Sequence, residues 1–434
     1  MKKILTISLS VLCAFVHTLS AQTFTLSGEF RPRTEYAHGL KTLAAADQDP
    51  GFFNTQRSRL NLKYGTSKMT AYLSLQDVRT WGNQSQLIEN EDRAVSIHEA
   101  WFMPTIGKGA KWALKIGRQE IVYDDHRIFG NVGWAQSARS HDALLLKYSP
   151  SAKSSLDIGL AYNQDNARLN SNLYLTASNY KTMQYLWYHT NFSKLGVSLL
   201  ALNLGMQVLS LDSNNVSNQE TKFNQTLGTH LNYKTGKFTI LANLYYQLGK
   251  RAISADQDIS AYLLGLDLGY AINAKNNITL GYELQSGSSQ VDPSNKLNSF
   301  TPWYGTNHKF NGHMDYFYVG NHLNSVGLQD IYAKWNTKFS RCGLGADVHY
   351  FSAAADVRKP GTQEAAPANL GTELDLYLDF MFSDAVKCQL GYSQMLATET
   401  LGYLKGGKYN ETQNWAWVML SYTPTFLKHE VIKQ

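Results

Sequence analysis

The sequence predicts an all-β protein: one transmembrane, antiparallel, up-and-down β-barrel of about 18 strands, occupying 22–434 behind a leader at 1–21. Three observations carry this. Period-two alternation of apolar and polar residues recurs along the chain, as strands with one face in lipid and one in water require. Short turns alternate with long polar loops, the asymmetry of a barrel with short periplasmic turns and long extracellular loops. After residue 21 no apolar run nears the roughly 20 residues of a membrane helix, although the chain carries 26 tyrosines, 9 tryptophans and only 9 prolines.

The leader has Lys2 and Lys3, an apolar run at 4–16, and Leu19, Ser20 and Ala21 before Gln22, the layout of a secretory signal peptide. Cys13 sits inside the apolar run without a lipobox around it. The formal charge of +6 falls to +4 once Lys2 and Lys3 leave, too little for a nucleic-acid partner at this length. Selectivity must then come from where charges sit.

In the first strand Phe24, Leu26, Gly28 and Phe30 share one face, and Glu29, Arg31, Arg33 and Glu35 the other. Pro32 removes a ladder hydrogen bond, so a bulge or an edge is expected there. The second strand sets Leu60, Leu62 and Tyr64 against Arg57, Arg59 and Lys63; after a turn at 66–68 the third returns with Met69, Ala71, Leu73 and Leu75 on one face. Further strands are expected near 94–104, 111–121, 138–149, 154–163, 181–192, 194–205, 223–234 and 237–247. The remainder fall near 259–272, 277–287, 326–338, 341–351, 370–382, 386–397 and 412–422. In 94–104 and 181–192 both faces are apolar, and the outward one is not decided.

Long loops are expected near 38–53, 80–93, 122–137, 164–180, 206–222, 248–258, 288–325, 352–369 and 398–411. A soluble β-sandwich would bury one face of each strand in a shared core, and fits less well with so many aromatics opposite a charged face. Cys342 and Cys388 fall on apolar faces with one strand between them, beyond disulfide reach, and should be free, lipid-facing thiols.

Arg31, Arg33, Arg57, Arg59, Lys63, Lys115, Arg118, Arg127, Arg139 and Lys147 put a basic wall on the first strands. Asp267, Glu283, Asp330, Glu373, Asp375 and Asp379 put an acidic wall opposite. Such a lumen gives a transverse field and a track for carboxylates or phosphates; pairing across the lumen that only holds the barrel wall and its folded-in loops is the plainer alternative. The stretch 116–146 adds Asp125, Trp134 and Asp142 to Arg118, Arg127 and Arg139, with Gly117, Gly130 and Gly133 as permissive points, and reads as a constriction loop, an active-site loop or a solvated connection. A second dense stretch, 300–321, interleaves Trp303, Tyr304, Phe310 and Tyr316 with His308, Lys309, His313 and Asp315, suited to sugar stacking, to an interfacial aromatic girdle or to packing in the barrel mouth.

Enzymatic chemistry has little support. His98, His126, His141, His308 and His313 match no metal spacing, and Ser140, His141 and Asp142 alternate faces on a strand, so they form no triad. No cofactor is implied.

The sequence resembles the outer-membrane alginate export porins, 18-stranded barrels. The resemblance runs from GEFRPRTEY at 28–36 to WVMLSY at 417–422. It is strongest in GRQ at 117–119, the spaced Asp125, Arg127, Gly130, Trp134, Arg139 and Asp142, and YGTNHKFNGHMDYFY at 304–318. LGTELDL at 370–376 and LGYSQM at 390–395 add to it. It implies passive passage of an anionic polysaccharide through an arginine-lined constriction in the outer membrane of a Gram-negative bacterium, with outer-membrane lipid, an anionic sugar or other small anionic solute, and a periplasmic export protein as partners. The expected pore-lining set is Arg31, Arg33, Arg57, Arg59, Lys63, Lys115, Arg118, Asp125, Arg127, Arg139, Glu373, Asp375 and Asp379. A general or neutral-sugar porin with structural lumen charges is the alternative, and a barrel enzyme or surface receptor the alternative of another class.

Overall fold

A computed structural model describes residues 22–431 apart from 88–94, 108, 175–178, 212–216, 254 and 319. The leader expected at 1–21 and positions 88–93 of the loop expected at 80–93 lie outside the described residues.

Each strand pairs antiparallel with the next, and the last with the first. In chain order they are β1 (Gln22–His38), β2 (Gly51–Thr66), β3 (Met69–Thr80), β4 (Ser96–Ile106), β5 (Trp112–Gln119), β6 (His141–Ser151), β7 (Ser154–Tyr162), β8 (Thr182–Phe192) and β9 (Leu195–Leu211). There follow β10 (Ser217–Thr235), β11 (Phe238–Lys250), β12 (Asp258–Ala271), β13 (Asn276–Gln285), β14 (Leu328–Phe339), β15 (Cys342–Ser352), β16 (Asn369–Ser383), β17 (Val386–Ala397) and β18 (Gln413–Tyr422). The barrel closes where β1 pairs with β18 across Phe30 to His38. Below that seam β19 (Thr425–Val431) continues the line of β18 past Pro424 and pairs with Gln22 to Ser27 of β1. Eighteen strands close the wall, and β19 prolongs the last of them.

The alternation behaves as lipid-facing strands demand. Tyr262, Leu264, Leu266, Leu268 and Tyr270 of β12 are all exposed on the outside, where lipid replaces water. Turns at one rim are as short as two residues, at 67–68, 152–153, 193–194, 236–237, 340–341 and 384–385, while the other rim carries the long loops. Pro32 keeps its pairing with Gln56 on β2, but the β1–β18 ladder skips it, placing the proline at the seam. Cys342 and Cys388 are free, and both pair with Phe380 of the intervening β16.

Two expectations change. The loop expected at 206–222 is mostly strand: β9 and β10 pair continuously from Leu195–Tyr233 to Leu211–Ser217. The last strand was expected near 412–422, and pairing continues past Pro424 in β19. The two undecided strands also resolve. In β4 a bulge at His98 leaves Ile97 and Phe102 outward, and Glu99 and Trp101 inward. In β8 Leu186 faces out, while Met183 and Tyr185 are buried inside. Their inner partners are not water but two loops that enter the barrel.

Candidate functional site

The lumen is occupied by the 120–140 loop, between β5 and β6, and the 286–327 loop, between β13 and β14. The first crosses the barrel. At its near end Asp124 accepts from Trp187 Nε1 (3.0 Å) and Ser198 Oγ (2.5 Å), and Asp125 accepts from Asn243 Nδ2 (2.8 Å). Ile128 and Phe129 then sink into an apolar cluster with Met183, Tyr185, Leu202 and Leu263. That cluster is why the inner faces of β8, β9 and β12 are apolar.

At its far end the loop is held through its backbone. Arg31 donates to the carbonyls of Gly133 (2.8 Å), Trp134 (3.1 Å) and Ala135 (3.2 Å), and to Gln136 Oε1 (2.9 Å). Arg33 donates to Trp134 O (2.9 Å) and lies 4.3 Å from that indole's centroid. Arg57 reaches the carbonyls of Ala135 and Gln136 (3.3 Å each) and pairs with Glu29 (2.6 Å). A guanidinium carries five donors in a fixed fork, which suits several carbonyls at once.

The second loop is held by the opposite polarity. Met314 N donates to Glu373 Oε1 (2.7 Å) and His313 N to Asp375 Oδ2 (3.3 Å), while Asn311 Nδ2 bridges Glu283 and Asp330 (3.2 Å each). Met314, Tyr316 and Phe317 fill a second apolar cluster with Phe351, Leu370 and Trp415.

The loops also bind each other. Gly130 N donates to Tyr304 O (2.8 Å), Tyr304 N to Ile128 O (3.0 Å) and Thr306 N to His126 O (2.9 Å), a short parallel bridge inside the barrel. Glycine is required where they touch: a Cβ on Gly305 would stand 2.3 Å from Arg127 O, and one on Gly130 2.2 Å from Thr306 Oγ1. Arg127 crosses beneath this bridge to Glu283, with Asp125 at 3.6 Å and its guanidinium 3.5 Å from the Phe310 centroid. Burial would lower the Arg127 pKa, but Glu283 and Asp125 outweigh it and hold the value above normal.

The expected pore-lining residues therefore separate into two groups. Arg31, Arg33, Arg57, Asp125, Arg127, Glu373 and Asp375 are buried or nearly so and engaged in holding the loops, rather than presented to an open passage. Arg59 is likewise engaged, with Gln76 (2.7 Å) and Glu29 (3.8 Å). Asp379 remains partly exposed, between Lys387 (3.0 Å) and Gln389 (2.7 Å).

Arg118, Arg139, Lys63 and Lys115 stand at two cavities on either side of the loops. On the long-loop side a cavity of about 960 Å³ is lined by Arg118, Arg139, His141, Asn224, Trp303 and Tyr304, among others. On the short-turn side a cavity of about 470 Å³ is lined by Lys63, Lys115 and Lys147 with Tyr72, Trp101 and Glu99. Arg118 pairs with Asp142 at 3.0 Å in the open. Arg139 has no carboxylate partner among the described residues; it reaches only the carbonyls of Gly305 (3.3 Å) and Gly130 (3.4 Å), and burial lowers its pKa to about 10. Lys115 rests 4.3 Å from the Trp101 centroid, also without an ion pair among the described residues.

Sequence reasoning missed Glu29 and Glu35 as partners of the arginines, although residues two apart on a strand share a face and the spacing was visible. It also missed Asn224, for which the sequence carries no signal.

A family model described as alginate export matches residues 22–413. The chain belongs to the alginate export family. It is an outer-membrane channel of a Gram-negative bacterium, surrounded by lipid and passing small solutes, and not an enzyme. No curated protein matches the sequence. Among solved structures, this alginate export family member is similar to the outer membrane protein OpdK from Pseudomonas aeruginosa, at 11% identity over 94% of this chain and 99% of that one, with a TM-score of 0.59. OccAB4 of Acinetobacter baumannii matches at 12% identity over 94% and 99%, also at 0.59. A BenF-like porin from Pseudomonas fluorescens Pf-5 matches at 12% over 93% and 99%, again at 0.59. Identities this low speak for the shared barrel alone.

Proposed function

We propose that this channel conducts anionic solutes, acidic sugars foremost, by passive diffusion between the two cavities. Arg118 and Arg139 receive the anion on the outer side, and Lys63 and Lys115 face it on the periplasmic side. The observation that carries this reading is Arg139: a guanidinium without a carboxylate, placed where the two inward loops meet. A cation there attracts carboxylates while giving only one strong contact, and conduction requires sites that also release. Trp101 beside Lys115, and Tyr304 beside Arg139, offer flat apolar faces next to each charge.

The test is the reversal potential of the purified mature protein in a planar bilayer under a salt gradient. Wild type should prefer anions, and Arg139→Gln with Lys115→Gln should bring the anion-to-cation permeability ratio close to one. An unchanged ratio in the double variant would sink the assignment.

A second reading is a channel for neutral solutes whose lumen charge is structural. It is favoured by Arg31, Arg33 and Arg57, which spend their donors on loop carbonyls and Glu29. A wild-type channel without anion preference would support it.

A further inference from the structure

In the wall of the short-turn cavity three metal-ligating side chains converge. His98 and Glu99 are neighbours on β4 and would alternate faces on a regular strand. The β3–β4 register pairs Ser74 with Glu99 and Leu75 with Ile97, which leaves His98 as the extra residue of a bulge. The bulge brings both side chains to Glu120, the first residue of the 120–140 loop: one ligand atom from each of the three lies within 4.8 Å of the others. No spacing in the sequence announces this set, because a bulge and a chain reversal assemble it.

The surroundings hold the three groups in place. His98 is 4% exposed, and its Nε2 meets Glu120 Oε1 at 2.8 Å. The other Glu120 oxygen, Oε2, accepts from Asn131 Nδ2 (2.8 Å). Glu99 Oε2 accepts from Trp101 Nε1 (3.0 Å) and from Glu120 N (2.9 Å). Donors of this kind, behind the ligands, orient carboxylates in metal sites. Among the described residues His98 is the one basic side chain in ion-pair contact with either carboxylate, so two neighbouring negative charges lack a cation.

The ligand atoms also specify chemistry. One imidazole nitrogen with two carboxylate oxygens suits Zn2+ and its transition-metal neighbours, and Zn2+ accepts three protein ligands with a fourth position open. Glu99 and Glu120 line the cavity, so that position would face it. Bonds of about 2.0–2.2 Å set tetrahedral ligands roughly 3.4 Å apart, which small side-chain rotations reach from the spacing here. Ca2+ takes about six to eight oxygens and finds too few. Lys63, Lys115 and Lys147 line the same cavity and oppose a metal, which keeps the affinity moderate.

We infer that His98, Glu99 and Glu120 form a binding site for a divalent cation of the zinc class, which ties the 120–140 loop to β4. Binding does not rest on the anion-channel reading. Its consequence for selectivity does: with both carboxylates neutralised, Lys63 and Lys115 would face the solute unopposed.

The experiment is calorimetric titration of the tag-free mature protein, stripped of metal with EDTA and held in detergent micelles, with the chlorides of Zn2+, Ca2+ and Mg2+. Zn2+ should bind at one such site per chain, at least about 100-fold more tightly than Ca2+ or Mg2+. His98→Gln, Glu99→Gln and Glu120→Gln should each weaken Zn2+ at least about tenfold, and Asn131→Leu, which removes only the donor behind Glu120, about tenfold. His429→Gln, on the exposed β19, controls for adventitious binding and should leave the affinity as in wild type. Heat-modifiable migration identifies variants that fold, and the three ligand positions give independent trials should one fail. Absence of Zn2+ binding in wild type, or equal affinity in wild type and the folded ligand variants, would overturn the site. In a planar bilayer, Zn2+ should raise the anion-to-cation permeability ratio of wild type and leave that of His98→Gln unchanged. Binding without that rise keeps the site and overturns its effect on selectivity. A wild type without anion preference, still binding Zn2+ through these residues, overturns the channel reading and keeps the site.

Discussion

The wall of β1 and β2 and the wall of β13 to β16 solve one problem with opposite charges. On the first, Arg31, Arg33 and Arg57 donate to carbonyls of 133–136. On the second, Glu373 and Asp375 accept from N–H groups of 313–314, and Glu283 takes Arg127. A peptide segment entering a barrel brings donors and acceptors that strands cannot satisfy, and each wall supplies the half its loop lacks. The comparison teaches that lumen charge on the strands is largely consumed by the loops. In the proposed function, the remainder on Arg139, Arg118, Lys115 and Lys63 is what a passing solute would meet.

The sharpest way to break this comparison is at the one side chain that ties the two systems together. Arg127→Met removes a fully buried partner of Glu283, and loss of one member of such a pair costs about 3–5 kcal/mol. Urea unfolding of the micellar protein, read by tryptophan fluorescence, should show a destabilisation of that order; a change below about 1 kcal/mol would mean the pair is not buried as described.

A smaller change tests the contact between the loops. Gly305→Ala sets a methyl 2.3 Å from the backbone carbonyl oxygen of Arg127, which no rotamer change can move aside, so the bridge must part. Single-channel conductance should rise while the barrel stays folded; conductance equal to wild type would show that the bridge does not limit passage.

The smallest effect concerns a helix docked beside the second loop, α1 (Glu399–Lys405). Lys405 donates to Asn321 O (2.7 Å), and burial lowers its pKa to about 7. An undocked lysine titrates near about 10.4, so between those values the undocked form binds more protons, and docking strengthens as pH rises. Deuterium uptake over 399–405, corrected for intrinsic exchange, should fall from pH 7 to about pH 10, and Lys405→Met should flatten that dependence.

Much of this architecture was legible because lipid imposes a simple rule on strands. Leu264, Leu266 and Leu268 face out for the reason their alternation suggested, and Cys342 and Cys388 sit either side of Phe380 as strand spacing required. The rule fails where strands leave the membrane. The upper part of β10 carries Gln219, Glu220 and Thr221 in succession, without an apolar face to mark it as strand. It also fails where the inner face is not wet. The two apolar faces of β8 were the sequence's own sign of an inward loop, since Met183 and Tyr185 needed something to cover them. The arginines were placed on the correct face but given the wrong neighbour in expectation: a sequence shows which way Arg31 points, not that the carbonyls of 133–135 will come to meet it.

The central claim is that the arginines of β1 and β2 hold a loop and Arg139 meets the solute. The measurement that tests it most directly is conductance and reversal potential of Arg31→Gln/Arg33→Gln/Arg57→Gln beside wild type in one bilayer series. The account predicts a larger conductance with anion preference retained, because the 120–140 loop loses its anchor while Arg139 keeps its charge. Unchanged conductance with anion preference lost would contradict it, and would return those three arginines to the solute's path.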